Sequence, residues 1–596
     1  YSGIVSSAVR HSHELCHDSR LQDIINSKTK NMKKNFVKSR WFFTMLLLVT
    51  TMIMPTMMLA EESITPTTPK GKGTAEEPYQ ISTAAELYWF AGLVNGPLPD
   101  GGGKDASANA ILTDNITVNE GVLDAVNKGQ VSESDFIEWK PIGTYDSYDA
   151  VYTGTFDGQG HTISGLYFNH PDASYVGLFG YIGANGKISN VGVSDSYFKF
   201  RMKGGGGVCG KNDKDGVLQN CSNSSTVIGK NQYSRTGGVC GDNSGTVRDC
   251  KNTGSVSGEN FVGGVCGINL GTIKNCYNTG SVHGTDIYVG GVCGNSYRVT
   301  NTNYCYYLSD TATRGIGNLM ADEKDKAEKM SIEHFESGEV AWLLNGKGLG
   351  EQVWGQQLGI DPSPVPGSAY KVIKAAQGDK DANGNYTYWA TFSNLTNDAT
   401  LSVPSESGRT LNVYNATVRG GKMTLTQRSD DQVAKEEGVL LKTDGEYVNA
   451  KVNKTNELTA ASPDENHLVA TPAEAKTVTA ETGCKLYRLT YNDATNKKGL
   501  GFYLGVAEGN SLKATPGKAY LKVSEDEAKD PSSAALTRSF VFSGGNETTG
   551  IDGITIMGTD VQRHGTIEGI FDLQGRKIVN PTKGIYLKNN KKVIIK

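Results

Sequence analysis

No excess of charge marks this chain: 59 basic against 63 acidic residues leave a net charge of −4, so no concentrated basic face points to a nucleic-acid partner. Proline is scarce, at 17 of 596 residues, and with 37% apolar and 8% aromatic residues the chain fits neither a collagen nor a wholly disordered protein. Signatures of familiar chemistry are also missing. Gly71-Lys72-Gly73-Thr74 lacks the upstream glycine of a phosphate loop, Gly204 to Gly207 runs on into a repeat strand, and neither GxSxG nor HExxH occurs. No catalytic residue, cofactor site or metal site is therefore assigned, and the chain reads as a non-enzyme. What it has in abundance is glycine, 73 of 596 residues or about 12%, where about 7% is ordinary.

Addressing comes first. Met32 is followed by Lys33, Lys34, Lys38 and Arg40, an apolar run from Trp41 to Leu59, and Glu61-Glu62 after Ala60. A basic region, an apolar stretch and a small residue before polar sequence read as a signal peptide over 32–60. Pro55 and its threonine neighbours favour a cleaved segment over a membrane span, and no cysteine follows to carry a lipid. Residues 1–31 read as an upstream extension, non-coding or disordered, so the metal-ligand types His11, His13, Cys16 and His17 are not expected in the mature protein. The mature chain is expected outside the cell, without an integral membrane span, on the outer surface of a gram-negative bacterium.

The centre repeats. Gly177-Leu178-Phe179-Gly180 recurs as Gly207-Val208-Cys209-Gly210 and again at 238–241, 264–267 and 291–294, with first glycines 30, 31, 26 and 27 residues apart. A second signature, Gly186-Lys187-Ile188-Ser189-Asn190-Val191, returns at 216–221, 245–250 and 271–276, and a third at 254–258 and 280–284. Each period thus holds three short β-prone pieces between Gly, Asn and Asp turns, without the i, i+3, i+4 spacing of a crossover helix. One coil cannot bury its inward side chains, whereas stacked coils share a core. The expected fold is all-β: a parallel β-helix solenoid with capping segments, followed by antiparallel β-sandwich-like modules. Asn190, Asn220, Asp249 and Asn275 share one repeat position and are expected to hydrogen-bond at a bend.

These signatures resemble the GLUG-repeat family of bacterial surface proteins, strongly over 170–305. They extend more weakly back to Gly73 through Glu77-Pro78-Tyr79-Gln80-Ile81-Ser82-Thr83 and Gly154 to Ile163. The resemblance implies an adhesin-like architecture and says little about activity. The tail from Gly553 to Lys596, with Ile570-Phe571-Asp572-Leu573-Gln574-Gly575-Arg576-Lys577, Lys583 to Leu587 and Val593 to Lys596, resembles C-terminal sorting domains of the type IX secretion route, which implies export to the surface.

Eight of ten cysteines fall in two repeat columns: Cys209, Cys240, Cys266 and Cys293 where Phe179 stands in the first coil, and Cys221, Cys250, Cys276 and Cys305 where Val191 stands. Replacement of hydrophobes favours stacked free thiols; disulfides within a coil are the alternative in an exported protein, and a metal site lacks its close CxxC pairs. Cys484 reads as core.

The domain expectation is a cap and β-helix over 61–310, a helical clasp and proline-rich linker over 311–367, β-rich modules over 368–545 and the sorting-like domain over 546–596. In the clasp, Ser337 can cap a helix carrying Val340, Leu343 and Leu344, and the segment reads as a plug over the last coil. Asp444-Gly445 carries a two-residue hairpin signal between Val439-Leu440-Leu441 and Tyr447-Val448. Runs such as Gly501-Phe502-Tyr503-Leu504 look like terminal modules of surface proteins from anaerobic gut bacteria. Asp379 to Gly384 opens like a calcium loop, but Ala390 stands where the bidentate Glu belongs, so a hairpin turn competes.

Function follows from architecture: a secreted, cell-surface, adhesin-like protein presenting its solenoid to a glycan or to a host or bacterial surface protein. Tyr175, Phe261 and Tyr288, each just before a glycine signature, are candidates for a stripe that stacks on sugar rings. The rivals are a polysaccharide-active β-helix enzyme, which needs paired exterior carboxylates, and a non-binding surface spacer. Lys187, Asp195, Arg248, Asp249, Lys274, His161 and His283 read as solvated or turn residues rather than a catalytic set.

Overall fold

Three short extended pieces per repeat, each too small to bury anything alone, close into stacked coils. The computed structural model describes residues 64–542 apart from 97, 99–102, 130–134, 146–149, 286, 298–300, 319–325, 348–351, 382, 405–407, 454, 493–497, together with the backbone of five strands between 554 and 595. The segments 1–31 and 32–60 lie outside the described residues.

The expected fold class is the one observed, a parallel β-solenoid of about seven turns followed by antiparallel sheets. The first sheet stacks eight parallel strands from Tyr79–Ile81 through Thr155–Asp157, Lys187–Ser189, Val217–Gln219, Thr246–Arg248 and Thr272–Lys274 to Thr302–Asn303. The weaker lead-in therefore already belongs to the coil. The second sheet stacks Phe179–Ile182, Cys209–Asn212, Cys240–Asn243, Cys266–Asn269 and Cys293–Ser296 in strict register. A third sheet closes each turn and absorbs its length differences, from the 14-residue strand Gly192–Gly205 to the two-residue strand Val262–Gly263. One continuous core threads all the coils.

The N-terminal end of that core is filled by a helix, Ala84–Asn95, which sequence reading passed over. Thr83 and Glu86 form a capping box at its start, a signal present in the sequence. Leu87, Phe90 and Val94 join the solenoid core, Phe90 against Tyr152 and Phe156.

The clasp differs from expectation. The last coil is extended by Ile316, which bridges Cys293, and by Ala327–Met330, which pairs in parallel with Cys305–Leu308. The helices Ile332–Glu336 and Glu339–Leu344 instead pack Phe335, Val340 and Leu344, with Trp354, onto Tyr277 and Tyr306. Those tyrosines alternate with the inward Cys276 and Cys305, so the clasp lies on the outer flank of the third sheet, not over the end. Gly338 rather than Ser337 is the helix cap, though the Ser337 hydroxyl accepts from the Glu339 amide at 3.3 Å.

Beyond the clasp, three antiparallel layers share a middle. The six-stranded sheet containing Tyr386–Ser393, Leu411–Arg419 and Gly438–Thr443 is buried on both faces: Val439 and Leu441 enter one core, Leu440 the other. Asp444-Gly445 is not a hairpin. Gly438–Thr443 pairs within that middle sheet and Tyr447–Val452 within the neighbouring one, because the chain crosses between layers there. Cys484 is half-exposed rather than core.

Glycine is imposed where backbone meets backbone. A Cβ on Gly267 would lie 2.6 Å from the Thr236 amide nitrogen, and one on Gly294 2.6 Å from the Phe261 carbonyl carbon; Gly210 and Gly241 meet the preceding coil in the same way. Each second-sheet strand is thus overlain by the chain that enters the coil before it, at a separation no side chain permits.

Amide ladders run along the stack. At the predicted bend, Asn190, Asn220, Asp249 and Asn275 all adopt positive φ between 52° and 56°. Asn220 Nδ2 donates to Asn190 Oδ1 at 3.0 Å and Asn275 Nδ2 to Asp249 Oδ1 at 3.1 Å. Asp249 cannot donate in turn, and Asn220 Oδ1 is left without a partner. Two further ladders are fully buried and were not anticipated: Asn212–Asn243–Asn269, and Asn223–Asn252–Asn278 with Nδ2···Oδ1 distances of 2.8 and 2.7 Å.

The cysteine columns stack in register, all eight thiols buried and free. Burial pushes the Cys209, Cys221, Cys250, Cys266 and Cys276 thiols well above their ordinary value.

Two outcomes follow from these ladders. Asn252→Ala takes the 2.8 Å acceptor from Asn223, one of two donors from Asn278 Oδ1 and the side-chain partner from the Gly254 backbone, and is expected to destabilise the solenoid by about 3 kcal/mol. Asp249→Asn gives Asn220 a donor while breaking the pair between half-exposed Arg248 and buried Asp249, and should destabilise less than Asn252→Ala does. Thermal unfolding of the two variants separates them. For the Cys209, Cys221, Cys250, Cys266 and Cys276 thiols, folding holds the proton more tightly than the unfolded chain does. Their contribution to stability is therefore complete below the ordinary thiol value near 9 and is lost as pH rises through the elevated native values. Thiol titration should show Cys484 reacting in native protein while the eight ladder thiols stay silent until denaturant is added.

Candidate functional site

The second sheet aligns one column outside the core that holds Phe179 and its cysteines: Tyr181, Lys211, Asp242, Ile268 and Asn295, of which Lys211 and Asn295 are half-exposed and the other three buried. Beside it runs the column that enters each coil, Arg235, Phe261 and Tyr288, whose following residues Thr236, Val262 and Val289 pair rung to rung. With adjacent strands about 4.8 Å apart, five rungs make a ridge roughly 20 Å long.

The expected aromatics share this ridge but do not form one unbroken stripe. Phe261 and Tyr288 stack face to face, with centroids 5.0 Å apart and planes 4° from parallel, and both are half-buried. Tyr175 lies at the other end, buried; Gly204 and Arg235 occupy the rungs between. At that end Tyr145, Tyr175 and Tyr181 form a triad: Tyr145 stacks on Tyr181 at 5.7 Å, and Tyr175 meets both edge-on at 5.5 and 5.4 Å. Burial, then the Asp242 carboxylate, pushes the Tyr175 phenol up to about 12, so it stays neutral. Tyr181 donates to Asp213 at 3.0 Å. Between the aromatic ends, Arg235 pairs with the buried Asp242.

The backbone here is strained. Tyr175, Lys203 and Phe261 hold φ of 62°, 55° and 50°, a region that disfavours bulky side chains. Such strain persists only where surrounding structure over-determines it. Tyr145, Tyr181, Lys203, Lys211 and the Arg235–Asp242 pair were not singled out from sequence. No alternation signal marks that column: the second residue after Phe179 or its cysteine would by period two share their inward face, whereas Phe179 and Ile182 enter the core and Tyr181 does not.

Elsewhere the flagged residues serve local structure. Asp195 accepts from the Leu123 amide at 2.9 Å, and Asp249 pairs with Arg248 at 2.6 Å. His283 is exposed on its third-sheet strand, His161 half-buried beside the turn at Gly160. At Asp379 to Gly384 the structure forms the hairpin turn: Ala376–Lys380 pairs with Tyr386–Ser393, and Asp381 Oδ1 accepts from the Asn383 and Asn385 amides, both at 2.9 Å. That turn borders an open cleft of about 660 Å³ lined by Tyr386, Tyr388, Thr410 and Lys442 among others. Among the described residues no group of three or more His, Cys, Asp and Glu side chains is placed to hold a metal ion, and no helix is long and apolar enough to cross a membrane.

Fold and ridge together define a parallel β-solenoid protein with antiparallel β-layers at its C-terminal side. No family model matches the sequence. Halomucin from Haloquadratum walsbyi is 30% identical over 192 residues, which are 32% of this chain and 2% of that protein. A provisionally named Gly-rich membrane protein from Evansella cellulosilytica is 31% identical over 127 residues, 21% of this chain and 12% of that protein. The chain thus spans only a small fraction of the length of these relatives. A solved structure from Bacteroides ovatus, provisionally described as an immunoglobulin A1 protease, aligns with 50% of this chain and 94% of its own at 18% identity, with a TM-score of 0.37.

Proposed function

We propose that this chain is a secreted, cell-surface binding protein of the GLUG-repeat kind, adhesin-like, that presents the ridge of its solenoid to a glycan or to a surface protein. The carrying observation is the strained ridge itself: Tyr175 and Phe261 are held at positive φ, and the Phe261–Tyr288 pair is set half-exposed on an outer corner. Aromatic surface ringed by polar groups is the ordinary makeup of a contact site, and an apolar edge suits the C–H face of a sugar as well as a protein hot spot. The likeness to a Gly-rich membrane protein supports a place at the cell envelope. Sorting through the C-terminal tail by a type IX-like route belongs to the same proposal.

The test is direct. The full chain is applied to a glycan array and to a panel of immobilised extracellular proteins. Saturable binding to at least one ligand is expected, weakened several-fold when Phe261→Ala and Tyr288→Ala are combined. Silence on both panels, or binding that the double substitution leaves unchanged, rejects the ridge as the site.

A further inference from the structure

The rungs between the aromatic ends carry cations whose placement goes beyond a general contact surface. Lys203 Nζ stands 3.8 Å above the Tyr145 ring and 5.2 Å from Tyr175; Lys211 Nζ stands 5.3 Å from Tyr181 and 5.8 Å from Tyr175. Among the described residues neither ammonium has a carboxylate partner within ion-pair distance, whereas Arg235 one rung on is already held by Asp242. The tyrosine faces thus hold two ammonium groups in place, while the described carboxylates beside them are engaged elsewhere, Asp242 by Arg235 and Asp213 by the Tyr181 hydroxyl, which removes part of the entropy a ligand would otherwise have to quench. Outward positions of the strand Gly192–Gly205 continue the positive file through Lys199 and exposed Arg201, opposite the buried Phe198 and Phe200.

We infer that this end of the ridge binds an acidic polysaccharide, with a carboxylate or sulfate on the sugar seated between Lys203 and Lys211 and the polymer running on toward Phe261 and Tyr288. The inference rests on the binding role proposed above and names the ligand class. Charge complementarity supplies the sign of the ligand. A polymer is indicated by the track, in which the cationic rung and the aromatic pair lie two to three rungs apart, roughly 10 to 15 Å. A sugar is favoured over a peptide because the inner strands of the second sheet are hydrogen-bonded to both neighbours and its end strands are bridged by Ile142 and Ile316, so that sheet offers no open edge for strand addition. Chain-wide charge of −4 also disfavours a nucleic acid.

The experiment measures binding of the full chain to polygalacturonate and to dextran sulfate, against methyl-esterified polygalacturonate, dextran and polyglutamate, at low salt and at about 0.5 M salt. Binding to one or both acidic polysaccharides, suppressed by salt and absent with the neutral pair, is the expected result; which acidic polymer binds tells carboxylate from sulfate. Lys203→Glu with Lys211→Glu should weaken it about tenfold or more. The Lys203→Gln, Lys211→Gln pair, which keeps side-chain length, should weaken it less, and an unchanged thermal transition verifies that both variants fold. Equal binding of the neutral polymers, equal binding of polyglutamate, or indifference to both lysine pairs overturns the inference. If neutral polymers bind and the Phe261, Tyr288 double substitution weakens them, the general binding role stands and only the acidic ligand falls. If nothing binds here or on the two panels, both fall.

Discussion

Every coil depends on one contact, the face-to-face approach of two backbones at the last glycine of each signature. The strand that enters a coil lies directly over the second-sheet strand of the next, and at Gly210, Gly241, Gly267 and Gly294 the space where a Cβ would sit is occupied by main chain. That approach fixes rung spacing, register and the direction of the corner at once. It also explains why the period can vary. The turn between the second and first sheets takes two more residues in the earlier coils, with Asn185 and Asp215 at φ of 68° and 66°, and the third sheet lengthens or shortens around it. Loops absorb length; the glycine contact does not move.

Stacking in register turns single polar residues into ladders, and this settles why asparagine sits in a core that would otherwise be apolar. An isolated buried amide is a liability of roughly 1 to 3 kcal/mol, whereas an amide with identical neighbours above and below donates to one and accepts from the other. Defects appear where the column is broken. Asn212 Oδ1 is unpaired because Ile182 stands in the preceding coil, and Asn220 Oδ1 is unpaired because Asp249 has replaced an amide that could donate. Both defects are local and neither disturbs the pairing around it. The buried ladders penalise a one-residue slip, since a shifted amide would lose the donor and acceptor above and below it, so they specify register where Val, Ile and Cys alone would tolerate error.

Much of this was legible in the sequence. Repeat spacing gave the solenoid, the glycines gave the corners, the Asn190 column gave the bend, and the exchange of Phe179 and Val191 for cysteine gave stacked thiols. The misses share a cause. The helix Ala84–Asn95 occurs once, so no periodicity announces it, although Thr83 and Glu86 mark its start. The buried Asn212 and Asn223 columns look in sequence like turn residues, because asparagine is expected at turns and not inside. Asp444-Gly445 carries an unambiguous local turn signal, but whether the flanking strands pair with each other or part to different sheets is decided by the layers they join. The clasp was read as a plug because an open end needs cover, yet the chain closes that end by continuing the coil and leaves its aromatic helices for the flank, where Tyr277 and Tyr306 supply apolar surface.

The same constraint that orders the core frees the ridge. Inward positions of the second sheet stay apolar across the coils, Phe179 and then four cysteines, while the column outside that core runs through Tyr181, Lys211, Asp242, Ile268 and Asn295 with no shared chemistry. A register set by backbone contact and interior amides does not depend on what those side chains are. Strain at Tyr175, Lys203 and Phe261, of order 1 to 3 kcal/mol each, can be carried because paired strands and the glycine contact hold the main chain on either side of each residue. The exposed Tyr145 and the half-exposed Lys203, Lys211, Phe261 and Tyr288 are therefore choices the scaffold does not impose, and a side-chain pattern that stability does not require is the one to be explained by what it meets outside the molecule.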